Sequence, residues 1–272
     1  MKIPKVWNRK NGILLKELAK TDFKLRYQGS VLGYLWALIK PLLTFVVLYT
    51  VFGHFLKFGA DVPHYPLYML LGIVLWSFFT ECTSQGIQAI VQRGDLLRKV
   101  SFPKYIVTVS SAGTALINLG VNLAVVVVFA LFNQITPSWS WLLVLIPIVE
   151  LYLLSLGLSL LLGAINVKYR DITSIWDVII QALFYAVPII YPVSMVTATS
   201  LTAAKIMLLN PIAQAIQDAR FLLITNETTT TWSLVGEGTF VIKLIPIIIT
   251  VVILIWGAMY FKKKSKFFAE EV

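Results

Sequence analysis

Three common enzymatic chemistries can be tested on residue spacing alone. A phosphate-cradling loop needs G-x-x-x-x-G-K-[ST], a zinc protease H-E-x-x-H, and a serine hydrolase elbow G-x-S-x-G. The 272-residue chain contains none of them. His54 and His64 are its two histidines, one at the end of the first apolar run and one in the loop after it, where lone histidines read as interface residues rather than ligands. Cys82 is the single cysteine, so no intrachain disulfide and no cysteine-based zinc site can form. No catalytic set, metal site or cofactor of its own is expected. Glu81 and Glu150 read as the carboxylates inside apolar runs. A charge at mid-bilayer costs about 2.5–3.5 kcal/mol on insertion scales. Glu150 should therefore face a polar cavity or a partner, either as a packing residue or on a path.

Two short links between apolar runs are dense in groups that dock on proteins. Gln92–Lys99, followed by Ser101-Phe102-Pro103, reads as a short amphipathic helix. Leu96, Leu97 and Val100 form its apolar knob amid Arg93, Asp95, Arg98 and Lys99. Asn166–Asp171 carries Arg170 and Asp171. The alternative is that both are solvated loops that only set topology.

The elements that position these links are membrane spans. The chain is 58% hydrophobic and 13% charged, with mean hydropathy +0.82. Soluble domains average about a quarter charged residues and under half apolar ones. Six apolar runs are each long enough for about 30 Å of hydrocarbon: 31–55, 67–82, 105–132, 141–165, 172–191 and 240–261. Such spans use roughly 120 residues, which excludes a large extramembrane enzyme domain. The expected fold is an all-α integral membrane protein with six transmembrane helices. Residues 1–30 form an amphipathic interface segment, 31–261 the membrane domain and 262–272 a basic tail.

Charge placement gives the orientation. The net charge is +10, but eight of the 23 Lys and Arg lie in residues 1–30 and four in the tail. That placement fits a membrane surface rather than nucleic acid. Segments on the side of the amino terminus carry 18 basic residues, and the opposite side carries three, Lys57, Lys205 and Arg220. Both termini are expected to be cytoplasmic. No cleavable signal peptide is expected, since residues 1–30 are too polar for one.

Residues 14–27 read as an interfacial helix. Leu14, Leu15, Leu18, Ala19, Phe23 and Leu25 fill one half of its wheel, with Lys16, Glu17, Lys20 and Lys24 opposite. Asp22 and Arg26 fall on the apolar half, and the alternative is an ordinary basic flank. The apolar stretch 206–224, broken at Asn210-Pro211, reads as a re-entrant helical pair before the last span. The alternative there is a surface helix. No inverted repeat of the secondary-transporter kind is visible.

At this point several stretches become familiar. Lys24-Leu25-Arg26-Tyr27-Gln28-Gly29-Ser30 through Trp36, then Lys40-Pro41-Leu42, resembles the opening signature of ABC-2-type export permeases. Asp95 to Pro103 resembles the first coupling helix of that family, and Tyr169-Arg170-Asp171-Ile172 its second cytoplasmic motif. Pro188 to Pro192 and Leu209-Asn210-Pro211 are similar to its fifth-span and re-entrant motifs. Within the family the chain looks most like permeases for lipid-linked polysaccharides, wall teichoic acid in particular.

The resemblance implies a non-catalytic membrane subunit in the bacterial plasma membrane. It implies a homodimer on two copies of a separate ATPase subunit, which binds the ATP and Mg, and a cargo anchored on polyprenyl pyrophosphate. Arg93, Asp95, Leu96, Leu97, Arg98, Lys99, Arg170 and Asp171 would then couple to the ATPase. Lys16, Lys20, Lys24 and Arg26 would gather the anionic head group at about 1 kcal/mol per basic residue, and Glu150 and Tyr191 are candidate path residues. A drug exporter of the same fold, an ion-coupled transporter and a membrane scaffold remain as alternatives.

Overall fold

Apolar runs of this length must satisfy every backbone N–H and C=O internally, so they become helices, and proline decides where they break. A computed structural model describes residues 9–27, 29–30, 32–100, 102–235 and 240–271. In chain order the helices are α1 (Arg9–Tyr27), α2 (Trp36–Leu48), α3 (Tyr65–Gln92), α4 (Gly94–Lys99), α5 (Tyr105–Phe132), α6 (Ser140–Leu143) and α7 (Leu145–Asn166). There follow α8 (Ile172–Ala186), α9 (Val193–Thr199), α10 (Leu201–Leu208), α11 (Pro211–Leu223), α12 (Thr231–Leu234), α13 (Phe240–Lys264) and α14 (Phe268–Glu271). A tight turn, Gly33–Leu35, leads into α2, and a wide one, Tyr49–Phe55, leaves it.

Among the described residues, five helical stretches are long and apolar enough to cross a bilayer: Gly33–Phe55, Tyr65–Gln92, Tyr105–Phe132, Ser140–Asn166 and Phe240–Lys264. The sixth expected span is shorter than the run 172–191 implied. α8 has 15 residues, about 22 Å at 1.5 Å per residue, against about 30 Å of hydrocarbon. Pro188 is the cause: the residue before a proline is pushed out of the helical region, and Val187 is extended at φ −95°, ψ 139°.

The interrupted stretch forms two helices broken at Asn210, and the second lies inside the bundle rather than on its surface. α10 and α11 meet at Asn210, whose side-chain oxygen accepts the Ile212 N–H at 2.9 Å and caps α11, with Pro211 in its first turn. α11 is buried along most of its length against α3, α7 and α13. α11 itself is therefore not a surface helix.

α3 is the axis of the bundle. Its residues from Leu67 to Leu75 are all buried, and α2, α5, α7, α8 and α11 pack around it. In a bilayer the hydrophobic effect does not drive helices together, so close approach through small residues does. α3 crosses α7 at Gly86, where an added Cβ would sit 2.3 Å from Ser159 side-chain atoms. The Ser159 hydroxyl donates to the Cys82 carbonyl at 3.1 Å, and Asn166 Nδ2 donates to the Ile87 carbonyl at 3.1 Å.

The ends of α3, α5, α7 and α13 converge with α4 and α14 in one apolar cluster: Ile90, Leu97, Val107, Val167, Phe261 and Phe268. Asp22 of α1 is bound to Arg93 at the same end. Both ends of the described chain therefore share one end of the bundle.

Candidate functional site

α2 carries Pro41 in its interior. Proline has no N–H, so the carbonyl four residues earlier, that of Ala37, loses its helical donor. Asn122 of α5 replaces it, donating from Nδ2 to the Ala37 oxygen at 3.0 Å. One turn away Asn118 Nδ2 donates to Glu81 Oε1 at 2.5 Å, and Gln85 Nε2 donates to the same oxygen at 3.0 Å. The Glu81 carboxylate is thus fixed by two amides from α3 and α5.

These residues form one wall of a groove of about 800 Å³ between α2, α3, α5 and α8. Lys40, Ser77, Ser84, Asp177 and Gln181 line it too. Asp177 is a correction to the reading of the sequence: it lies within the run 172–191 and is a third carboxylate in the apolar segments. α8 is held on α3 through buried Trp176, whose Nε1 donates to Thr83 Oγ1 at 3.1 Å. The rest of α8 is largely exposed, and in α2 only Pro41 and Phe45 are buried. A polar groove flanked by bare apolar helix faces can hold a hydroxyl-rich chain in its amides and hydroxyls. The bare faces offer area to a second apolar surface.

Neither path residue named from the sequence lies on this groove. Glu150 turns toward α11, where its carboxylate meets the Gln214 side chain beside Asp218. Glu150 Oε1 is buried without a partner. Tyr191 lies past the end of α8, and its hydroxyl donates to the Tyr185 carbonyl at 2.8 Å.

At the α4 end the outward groups are Asp95, Arg98, Lys99 and Val100, all exposed, with Leu96 half-buried. Two residues grouped with them face inward instead. Leu97 is 6% exposed and packs in the cluster with Phe261 and Phe268. In a six-residue helix, residues one apart point different ways, so Leu96 and Leu97 cannot share one outward knob. Arg93 pairs with Asp22, and its Nη1 donates to the Ser110 hydroxyl at 3.2 Å. Burial lowers its pKa. That pair explains why Asp22 lies on the apolar half of α1: this half packs on α5. Arg170 and Asp171 are exposed just before α8, three and four residues from Val167 of the same cluster.

Lys16, Lys20 and Lys24 are exposed along α1. Arg26 is in its last turn, with its side chain outside the described set.

A further polar centre was not legible in the sequence. Arg220, counted there among the three basic residues opposite the amino terminus, is fully buried on α11. Its Nε donates to the Tyr68 carbonyl at 2.9 Å, Nη1 to the Pro188 carbonyl at 2.6 Å and to Gln217 Oε1 at 2.8 Å, and Nη2 to the Ile189 carbonyl at 2.9 Å. Its guanidinium stacks 3.6 Å from the Tyr68 ring centroid. The unwound chain after α8 is thereby tied to α3 and α11. The available signal was the spacing Gln214, Gln217, Asp218, Arg220 within an apolar stretch, a polar stripe one helix face wide.

Residues 13–223 match the family described as ABC-2 type transporter. The O-antigen export system permease protein RfbA of Myxococcus xanthus is 35% identical over 205 residues, 73% of this chain and 75% of that protein. RfbA of Klebsiella pneumoniae is 27% identical over 94% of both chains. The polysialic acid transport protein KpsM of Escherichia coli is 19% identical over 66% of this chain and 70% of its own. With the family pattern running from α1 to the end of α11, through the groove, α4 and the Arg220 centre, the chain belongs to the ABC-2 type transporter family.

Proposed function

We propose that the chain is the membrane subunit of an ATP-driven exporter that moves a polysaccharide linked to polyprenyl pyrophosphate from the inner to the outer leaflet. The cargo in this reading is an anionic glycopolymer of the wall teichoic acid kind. Relatives named for O-antigen export and polysialic acid transport support the polysaccharide class. The observation that carries the reading is the groove: amides, hydroxyls, Lys40 and the carboxylates of Glu81 and Asp177 in the midst of apolar helices suit a polyol chain better than an apolar drug. In the working assembly two copies face each other through the bare sides of α2 and α8. Two separate ATP-binding subunits, holding ATP and Mg, dock at α4 and at Arg170-Asp171. Lys16, Lys20 and Lys24 draw the phosphorylated head group to the inner leaflet. ATP-driven closure of the docked subunits shifts α4 and α8 together and moves the groove between two states.

The test is ATP-dependent flipping of a fluorescent lipid-linked glycan in vesicles carrying the permease and its ATP-binding subunit. Ser84→Trp, which fills the groove from a half-buried position, should leave assembly intact and slow flipping at least about tenfold, equal to about 1.4 kcal/mol. Flipping at the wild-type rate would remove the groove from the path.

Orientation has its own test. Cysteines at Lys57 and Asn226, both exposed, should react with an impermeant thiol reagent added outside cells, and one at Lys99 should not. The native Cys82 is fully buried and gives a quiet background. Labelling at Lys99 from outside would reverse the orientation.

A further inference from the structure

α4 is six residues long, too short to be stable on its own. Its N-cap, Arg93, makes no side-chain capping bond. Two contacts hold it in place. At its start Arg93 is bound to Asp22 and Ser110. In its last turn Leu97 is buried in the cluster that joins α3, α5, α7 and α13. The remaining member of that cluster is Phe268, from the segment beyond α13.

Phe268 is in an unexpected place for its sequence. It follows Lys262, Lys263, Lys264 and Lys266, a run that belongs in water and would lead the chain away from the bundle. Instead the chain folds back, with the Ser265 N–H bonded to the Phe261 carbonyl at 2.7 Å and Phe267 to Lys264 at 3.0 Å. Phe268 ends 0% exposed. Its ring stands edge-on to Phe261 at 5.2 Å, and Lys104 Nζ lies 5.7 Å from its centroid. α14 touches α4 directly. The face of α4 opposite this contact is the exposed one, with Asp95, Arg98, Lys99 and Val100.

We propose that α14 is a strut that seats α4, with Phe268 as a positioning residue that acts through Leu97 to hold the outward face of α4 where an ATP-binding subunit can push on it. The idea rests on the reading of α4 as the docking helix. Removing the strut should leave that helix attached to its partner but loosely seated, so that hydrolysis no longer moves the bundle efficiently. The signature is a change in coupling rather than in assembly.

The experiment uses the full-length permease in nanodiscs, alone and with its ATP-binding subunit. Phe268→Ala should raise amide exchange across residues 94–99 by about tenfold or more, because local opening sets that rate. Exchange in the middle of α3 and α5 should stay unchanged. In the complex, ATP hydrolysed per glycan exported should rise at least about threefold, roughly half a decade in coupling, while the subunits still copurify. Phe268→Leu should restore most of both. Unchanged α4 exchange with unchanged ATP per glycan would overturn the proposal. General loosening of α3 and α5 would overturn it too, by making Phe268 an ordinary packing residue. A separate variant, Leu96→Asp with Val100→Asp, changes only the outward side. Normal recovery of the ATP-binding subunit with that pair would refute α4 as the docking helix, while the exchange result would still judge the strut.

Discussion

Replacing Arg220 by methionine is expected to abolish folded permease. Methionine fills much of the volume but donates nothing, so the carbonyls of Tyr68, Pro188 and Ile189 and the Oε1 of Gln217 lose their donor together. An orphaned buried acceptor costs about 1–3 kcal/mol. The three carbonyls together, at about 3–9 kcal/mol, reach into the total of about 5–15 kcal/mol that holds a typical protein folded. Gln217 limits the damage only slightly, since the Tyr68 hydroxyl still donates to its oxygen at 2.9 Å. Arg220→Lys is expected to fail nearly as badly. An ammonium is a point donor on a flexible stem and cannot reach three carbonyls on two sides of a planar fork. Gly72→Ala tests the same centre from α3: its Cβ would stand 2.2 Å from Arg220 Nη2 and 3.3 Å from the Ile189 carbonyl oxygen. Monodisperse yield in detergent and the melting temperature measure all three. Arg220→Met with a wild-type melting temperature would show that the centre is dispensable.

That centre shows where the sequence stopped being informative. Breakers are local, so Asn210-Pro211 marked its interruption correctly, and the apolar runs marked most of the helices; Pro188 stands inside the run 172–191 and ends α8 at Ala186, before that run does. Interior faces are not local. Once a helix is apolar all round, periodicity cannot say which residues look inward, and so the polar residues of α3, α5 and α8 gave no hint of meeting in one groove. The burial of Arg220 went unseen because a lone basic residue reads as a topology charge, when its partners include the carbonyls of Pro188 and Ile189 in the unwound chain after α8. Glu150 was singled out correctly as a residue needing polar company, but its company is Gln214 on α11, not the groove. Asp22 was visible as an anomaly on the apolar half of α1. Its explanation, Arg93, was equally visible but assigned to the outer face of α4. Pairing two anomalies of opposite charge would have found the contact.

Gly257→Ala is expected to be destabilising although the same change usually helps a helix. In a helix interior alanine is favoured over glycine by about 0.5–1 kcal/mol. At Gly257 of α13, however, an added Cβ would lie 2.3 Å from the Gly157 carbonyl oxygen and 3.1 Å from its carbon. The reciprocal position is equally closed, since a Cβ on Gly157 would sit 2.7 Å from the Leu254 Cα. Both obstacles are backbone, so no rotamer change relieves them, and α13 must move away from α7. Between helices in a bilayer no hydrophobic gain offsets the lost close packing. Overpacking of this kind costs about 1–3 kcal/mol, which outweighs the propensity gain and sets the sign. α13 leans on this contact because its buried residues are few: Pro246, Thr250, Gly257 and Phe261. Gly113→Ala and Gly120→Ala supply the contrast. Both lie on α5 with nothing within 4 Å of the new Cβ, so they should be neutral or slightly stabilising. Melting temperatures of the four alanine variants in one detergent decide it: a fall for Gly157 and Gly257, and none for Gly113 and Gly120. A rise for all four would mean that propensity governs throughout and that α7 and α13 do not meet backbone to backbone.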